Sequence, residues 1–235
     1  MNRTIKVGIA ALALASIVPA FAQEEVEETE GAVGWSAVAL GVATPVQLPW
    51  GFRWNVYGLD VNFLYSDAPN VYGLDVGGLA TVTREDFMGL GIGGLANLSL
   101  GDVYGLRASL GFNMCRQNVY GMEAGLAGLR EHFWGLDVHL LGSAQYTSCG
   151  CMIAGLANVA RDESYGATIA LGANFAKVAY GCQCAIVFNY TEELHGCQIS
   201  LVNYAATCPS GFQIGLINII MDNEVKVLPI LNGYF

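Results

Sequence analysis

Charge is scarce in this chain of 235 residues: Asp, Glu, Lys and Arg together make up 13% of it. The basic side is the thinner one, with 10 Lys and Arg against 20 Asp and Glu. A chain so poor in cations has no basic stripe to offer a phosphate backbone, which excludes a nucleic-acid partner. Proline is rare at 6 residues while glycine reaches 30 and hydrophobic residues 54%. That balance is too apolar for a disordered chain and too rich in glycine for a helical bundle. Enzymatic signatures are missing as well: there is no serine–histidine–acid spacing, Walker-type loop or dinucleotide fingerprint. Gly89-Leu90-Gly91-Ile92-Gly93 looks like a phosphate cradle only in isolation, because no helix signal follows it. Nor is any apolar run long enough to cross a bilayer as a helix.

The longest uncharged run near the start, Val7 to Val18, instead has the anatomy of a secretory signal. Arg3 and Lys6 precede it, Pro19 ends it, and Ala20-Phe21-Ala22 supplies small residues for cleavage before Gln23. Residues 1–22 are therefore expected to be a signal peptide. No Cys follows the cut, so nothing signals a lipid anchor there. Residues 23–31 form an acidic leader carrying Glu24, Glu25, Glu27, Glu28 and Glu30, read as solvated and flexible. The processed chain would have 213 residues (235 minus 22) and a formal charge of −12 (8 minus 20).

The remainder, residues 32–235, is expected to be one domain built on an internal repeat. A glycine, usually preceded by an aromatic residue, recurs at 58, 73, 89, 105, 121, 135, 150, 166, 181, 196 and 211, at intervals of 14 to 16. Tyr57, Tyr72, Tyr104, Tyr120, Trp134, Tyr165 and Tyr180 are the preceding rings. Counting each glycine as zero, the odd positions are apolar for about 11 residues, as in Tyr104, Leu106, Ala108, Leu110 and Phe112. Six ionisable side chains fall inside these windows: Asp60, Asp75, Arg107, Glu123, Asp137 and His139. All six sit at even positions. A strand explains this, since its side chains alternate between two faces, whereas a helix would scatter them. Polar links such as Arg84-Glu85-Asp86 and Arg161-Asp162-Glu163 separate the windows as turns.

Two all-β architectures share this pattern. The leading expectation is an antiparallel meander closed into a transmembrane β-barrel of about 12–14 strands, with the odd face on lipid and the six even-face residues lining the lumen. The alternating end of the chain, from Val225 to Phe235, resembles the aromatic-terminated last strand of bacterial outer-membrane proteins. The alternative is a β-solenoid of 15–16-residue coils. Links of about four residues and a wandering interval argue for the barrel. The two differ at Cys182 and Cys197, which share one repeat phase: stacked neighbours in a solenoid, far apart in a meander.

Gly211-Phe212-Gln213-Ile214-Gly215-Leu216-Ile217-Asn218, and more loosely Gly196-Cys197-Gln198-Ile199-Ser200-Leu201-Val202-Asn203, resemble a bacterial surface-repeat family of tandem Gly-Leu-Gln-Ile-Gly-Leu-Ile-Asn units. The closing Leu228-Pro229-Ile230-Leu231-Asn232 is similar to that family's ending. The resemblance covers the last 40 or so residues well and implies an exported, surface-associated protein with no catalytic residues to carry over. Of the seven cysteines, Cys149/Cys151 and Cys182/Cys184 are pairs one residue apart, a spacing that does not suit zinc, and they are read as small apolar residues. The expectation is thus an exported outer-membrane or surface β-repeat protein, structural or pore-like and without catalysis, cofactor or metal. Its expected partner is outer-membrane lipid. A soluble or peripheral solenoid acting as an adhesin or binding surface is the alternative.

Overall fold

A computed structural model describes residues 34–50 and 54–234. The expected signal peptide and acidic leader lie outside the described residues. Among those residues every regular element is a strand, sixteen in number.

One coil shows how the sequence makes the architecture. Strand β4 (Val71–Gly77) is followed by a bend at Gly78-Leu79, then β5 (Ala80–Thr83), then a polar link at Arg84-Glu85-Asp86. The next coil repeats this as β6 (Phe87–Gly93) and β7 (Ala96–Ser99), and the one after as β8 (Val103–Ser109) and β9 (Phe112–Cys115). β4, β6 and β8 pair in parallel, and so do β5, β7 and β9. Each coil therefore carries one strand of each of two rows and lies on the coil before it. The same parallel pairing continues through β10 (Asn118–Leu129), β11 (His132–Ala154), β12 (Ala157–Ala170), β13 (Ala173–Ala185), β14 (Phe188–Ile199) and β15 (Val202–Ile220). In these later coils the strands run on through the bends; β11 alone has 23 residues.

This is a parallel β-solenoid of eleven glycine-anchored coils, and it corrects the expectation of an antiparallel barrel. The apolar window after each glycine is not one crossing strand. The chain folds back inside it, at the two-residue bend, so the polar link, three residues at Arg84-Glu85-Asp86, has only the second half of the reversal to make. The bend works because glycine is often one of its two residues: a Cβ on Gly78 would stand 1.8 Å from the carbonyl oxygen of Phe63 in the coil before. The strand count, sixteen against 12–14, departs for the same reason.

The anchor glycines stack one above another: Gly58 on Gly73, Gly73 on Gly89, Gly105 on Gly121. Gly121 shows why no other residue serves. Its φ is +144°, a conformation essentially confined to glycine, and a Cβ there would meet the Gly105 carbonyl oxygen at 1.9 Å.

The ends depart from the parallel rule. β1 (Gly34–Ala43) pairs in parallel with β3 (Trp54–Ala68), while the short β2 (Val46–Leu48) folds back antiparallel on β1. At the other end β16 (Val227–Gly233) turns back antiparallel on β15. An antiparallel closing strand occupies part of the terminal row of backbone donors and acceptors that another chain could otherwise extend.

Candidate functional site

The interior divides into two zones. Along the side next to the polar links, the residue two before the glycine is apolar and fully buried in the first six coils, where Val56, Val71, Phe87, Val103, Val119 and Phe133 form a continuous core; Ser148 and Ser164 take that position in the next two coils. On the other side, towards the bends, the interior is polar. The position two after the glycine holds Asp60, Asp75, Arg107, Glu123 and Asp137 in the first half and Thr168, Gln183, Gln198 and Gln213 in the second, all buried, with Gly91 and the buried Met152 as the two non-polar members.

Of the six even-face residues singled out in the sequence, four meet. Arg107 donates from Nε to Glu123 Oε1 at 2.8 Å and from Nη1 to Ser99 Oγ at 2.9 Å. Arg130, which sequence reasoning missed, reaches Glu123 with one Nη and Asp137 with the other, the latter at 2.5 Å. Its guanidinium also lies 4.5 Å above the centre of the Phe133 ring. His139 Nδ1 is 2.5 Å from Asp137 Oδ1, and its Nε2 is 3.3 Å from Asn113 Nδ2. Asn113 Nδ2 is a donor, so His139 Nε2 accepts. Phase hid Arg130: it stands nine residues after Gly121, an odd position, whereas Ala68, Thr83 and Ser99 stand ten after their glycines, and only because the coil is one residue shorter between Ala124 and Ala127 does Arg130 fall at their inward position.

Electrostatically the ladder is neutral, two guanidiniums against two carboxylates. Burial alone would raise the Glu123 pKa, but Arg107 and Arg130 outweigh it and hold the carboxyl below its usual range. Burial likewise opposes ionisation of Asp137, yet Arg130 and the His139 contact bring it down to about 2. Arg130, for its part, would be lowered by burial, but Asp137 and Glu123 raise it.

Asp60 and Asp75 lie apart from this ladder, separated from Arg107 by Gly91 in the stack. Asp60 accepts from Asn62 at 2.7 Å and from Ser66 at 2.8 Å. Burial nonetheless pushes its pKa up to about 6. Asp75 is fully buried with neither carboxyl oxygen hydrogen-bonded, and burial followed by the neighbouring Asp60 charge raises it well above the carboxylate range. In its neutral form Asp75 also escapes repulsion from Asp60.

Seven or eight residues after the glycine, the later coils carry an amide ladder. Asn158, Asn174, Asn189 and Asn203 each pass a side-chain N–H to the next side-chain oxygen at 2.9–3.0 Å, the ladder ending on Asn218. Gln213, Gln198 and Gln183 do the same at 2.8 and 2.7 Å. These ladders fix coil register, because a slip of one residue would strand every amide. None of these buried groups is open to a solute. Among the described residues no group of three His, Cys, Asp or Glu side chains could hold a metal ion. Cys182, Cys184 and Cys197 do meet on the outer face, with Sγ–Sγ distances of 3.4 Å (Cys182 to Cys184) and 2.9 Å (Cys182 to Cys197). The stacking of Cys182 on Cys197 is the arrangement that distinguishes a solenoid from a meander.

What reaches solvent is the odd face, and it is apolar. Tyr57 stacks on Tyr72, Tyr104 on Tyr120, Tyr120 on Trp134, and Tyr165 on Tyr180, with ring centres 4.7–5.0 Å apart. Beside these rings run exposed aliphatic positions such as Leu90, Ile92, Leu106, Val138, Ile169 and Ile214. At the bends the most exposed side chains include Phe63 at 75%, Leu110 at 83%, Leu140 at 68% and Leu171 at 62%. The opposite edge, made of the polar links, carries the exposed Glu85, Asp86, Glu131, Asp162 and Glu192. That edge has its own ladder: Asn70, Asp86 and Asp102 each accept from the backbone N–H one coil on, at 3.0–3.1 Å. No family model matches the chain, and neither the curated proteins nor the solved structures contain a match.

Proposed function

We propose that the chain is an exported, non-catalytic β-solenoid whose outer apolar surface is a binding surface. The observation that carries this reading is the inversion of polarity. Around the bends the coils bury amides, carboxylates and guanidiniums and expose leucine, isoleucine and phenylalanine. Soluble monomers rarely show contiguous apolar patches beyond a few hundred Å², and larger ones mark interaction sites. The short bends and links support a scaffold over an enzyme, because among the described residues they leave no long loops to carry catalytic groups. Export rests on residues 1–22, and surface association on the repeat resemblance. Fractionation of the producing cells tests the export half: the reading expects a processed chain beginning at Gln23 outside the cytoplasm, and an unprocessed cytoplasmic chain refutes it. The binding half is tested by recovering the chain in its native state. The reading expects it bound to a membrane or to another copy, and a lone monomer with no affinity for either refutes it.

A further inference from the structure

Resting on that reading, the geometry points to a specific partner: we infer that the solenoid lies edge-on in one leaflet of a lipid bilayer, bends inward, polar links in water. Three independent features converge on this orientation.

The first is the order of chemistry around each coil. From the polar link towards the bend, the outer surface passes from exposed carboxylates, through the Tyr and Trp column, to aliphatic side chains, and ends on the leucine-rich ridge. That sequence matches water, headgroup region and acyl chains, with the amphipathic rings at the interface where they bury an apolar body and keep a polar tip wet. The interior is reversed in step: apolar core beneath the charged edge, polar ladders beneath the apolar ridge. The charged half is arranged for water and the other half for lipid.

The second is backbone satisfaction. Hydrocarbon tolerates only segments whose N–H and C=O groups are paired internally. Even at the ridge they are. Leu79 N–H bonds to Leu64 O at 2.7 Å, Leu95 N–H to Leu79 O at 2.6 Å, Leu110 N–H to Gly94 O at 3.2 Å, and Leu156, Leu171 and Leu201 bond one coil back at 3.0–3.2 Å.

The third is area. Strand spacing of about 4.8 Å over ten steps makes the ridge about 50 Å long, and five residues from ring column to bend make each face about 17 Å deep. Two faces and an edge about 10 Å thick then present roughly 2,200 Å² of apolar surface. A second copy seated on one flat face would cover about 850 Å², enough for a standard dimer but less than half of what is exposed. A leaflet wraps both faces and the ridge together, and its acyl region, about 15 Å deep, matches the face depth. The acidic links favour a zwitterionic over an anionic surface.

Flotation of the full chain with phosphatidylcholine vesicles tests this. Wild type should float, unchanged by high salt, because apolar insertion and not charge holds it. The triple variant Leu110→Ser, Leu140→Ser, Leu171→Ser alters three exposed ridge side chains and should lower partitioning at least about a hundredfold, judged from the transfer cost of three leucines. Glu131→Gln, Asp162→Gln, Glu192→Gln on the opposite edge should float like wild type. All three proteins share the same N-terminal segment, so a difference among them belongs to the solenoid, and circular dichroism checks that each retains its sheet. A ridge variant that floats as wild type does overturns the orientation. Wild type that stays in the aqueous fraction as a face-to-face dimer overturns the lipid partner while leaving the binding-surface reading intact; a monomer in that fraction overturns both.

Discussion

Replacing Arg130 with Met should be the most damaging single change in the interior. The Arg130 side chain has no solvent exposure and contacts both Glu123 and Asp137. Met fills much of the volume and leaves the packing on Phe133 largely intact, so the effect isolates the charge. With Arg107 kept, the ladder passes from neutral to a net charge of −1, and Asp137 retains only His139. Removing one partner of a buried ion pair costs about 3–5 kcal/mol, a large part of the 5–15 kcal/mol that holds a typical domain together. Urea unfolding followed by far-ultraviolet circular dichroism at pH 7 measures the loss. Two companions separate charge from packing. Adding Asp137→Asn to Arg130→Met removes the stranded charge and should restore at least about 1 kcal/mol. Lowering the pH should also narrow the gap between variant and wild type, since Asp137 is no longer held low by Arg130 and takes up a proton. A loss below about 1 kcal/mol at pH 7, unchanged by the second substitution, refutes a dry ionic ladder.

Other outcomes follow from neighbouring features. Asp60 has its pKa raised from 3.8 to about 6 and Asp75 is also raised well above 3.8, so their native forms hold protons that the unfolded chain has released. Their contribution is complete below pH 3.8 and is lost as pH rises through about 6, worth about 3 kcal/mol for Asp60. Unfolding of Asp60→Asn, Asp75→Asn should lose that slope between pH 4 and pH 7, and an unchanged slope contradicts the assignment. Gly121→Ala forces a Cβ against the Gly105 carbonyl at φ +144° and should destabilise by at least about 2 kcal/mol. Because coils touch only their neighbours, hydrogen exchange should quicken first in β8, β10 and β11. Treatment with a copper–phenanthroline oxidant should join Cys182 to Cys197, whose thiols already lie 2.9 Å apart, and mass spectrometry reads the link; no link after full oxidation contradicts the stacking.

The sequence carried the face of nearly every residue but not the direction of the chain. Asp75, Arg107 and Asp137 were separable from Leu74, Leu106 and Leu136 because alternation is local, and the structure places the first group inward and the second outward. Alternation is identical in a meander and a coil, so it could not choose between them. The information lay in the bends: Gly78, Gly94, Gly111, Gly155 and Gly172 mark where five of the windows fold, yet among 30 glycines they read as part of an apolar stretch. The ionic ladder was half legible. Arg107, Glu123, Asp137 and His139 share even phases, but their contact needs coils stacked in register, and Arg130 joins them from the other row of strands, behind an interval shortened to 14 residues.

Parallel stacking is the claim on which the whole account stands, and distances between spin labels along one outer column measure it directly. With the native cysteines replaced by alanine, labels at Leu74 paired with Met122, Leu136 or position 151 lie three, four and five coils apart. The solenoid predicts distances growing steadily, about 14, 19 and 24 Å at 4.8 Å per coil. An alternating series, with the three- and five-coil pairs far longer than the four-coil pair, would mean neighbouring units run in opposite directions and would contradict it.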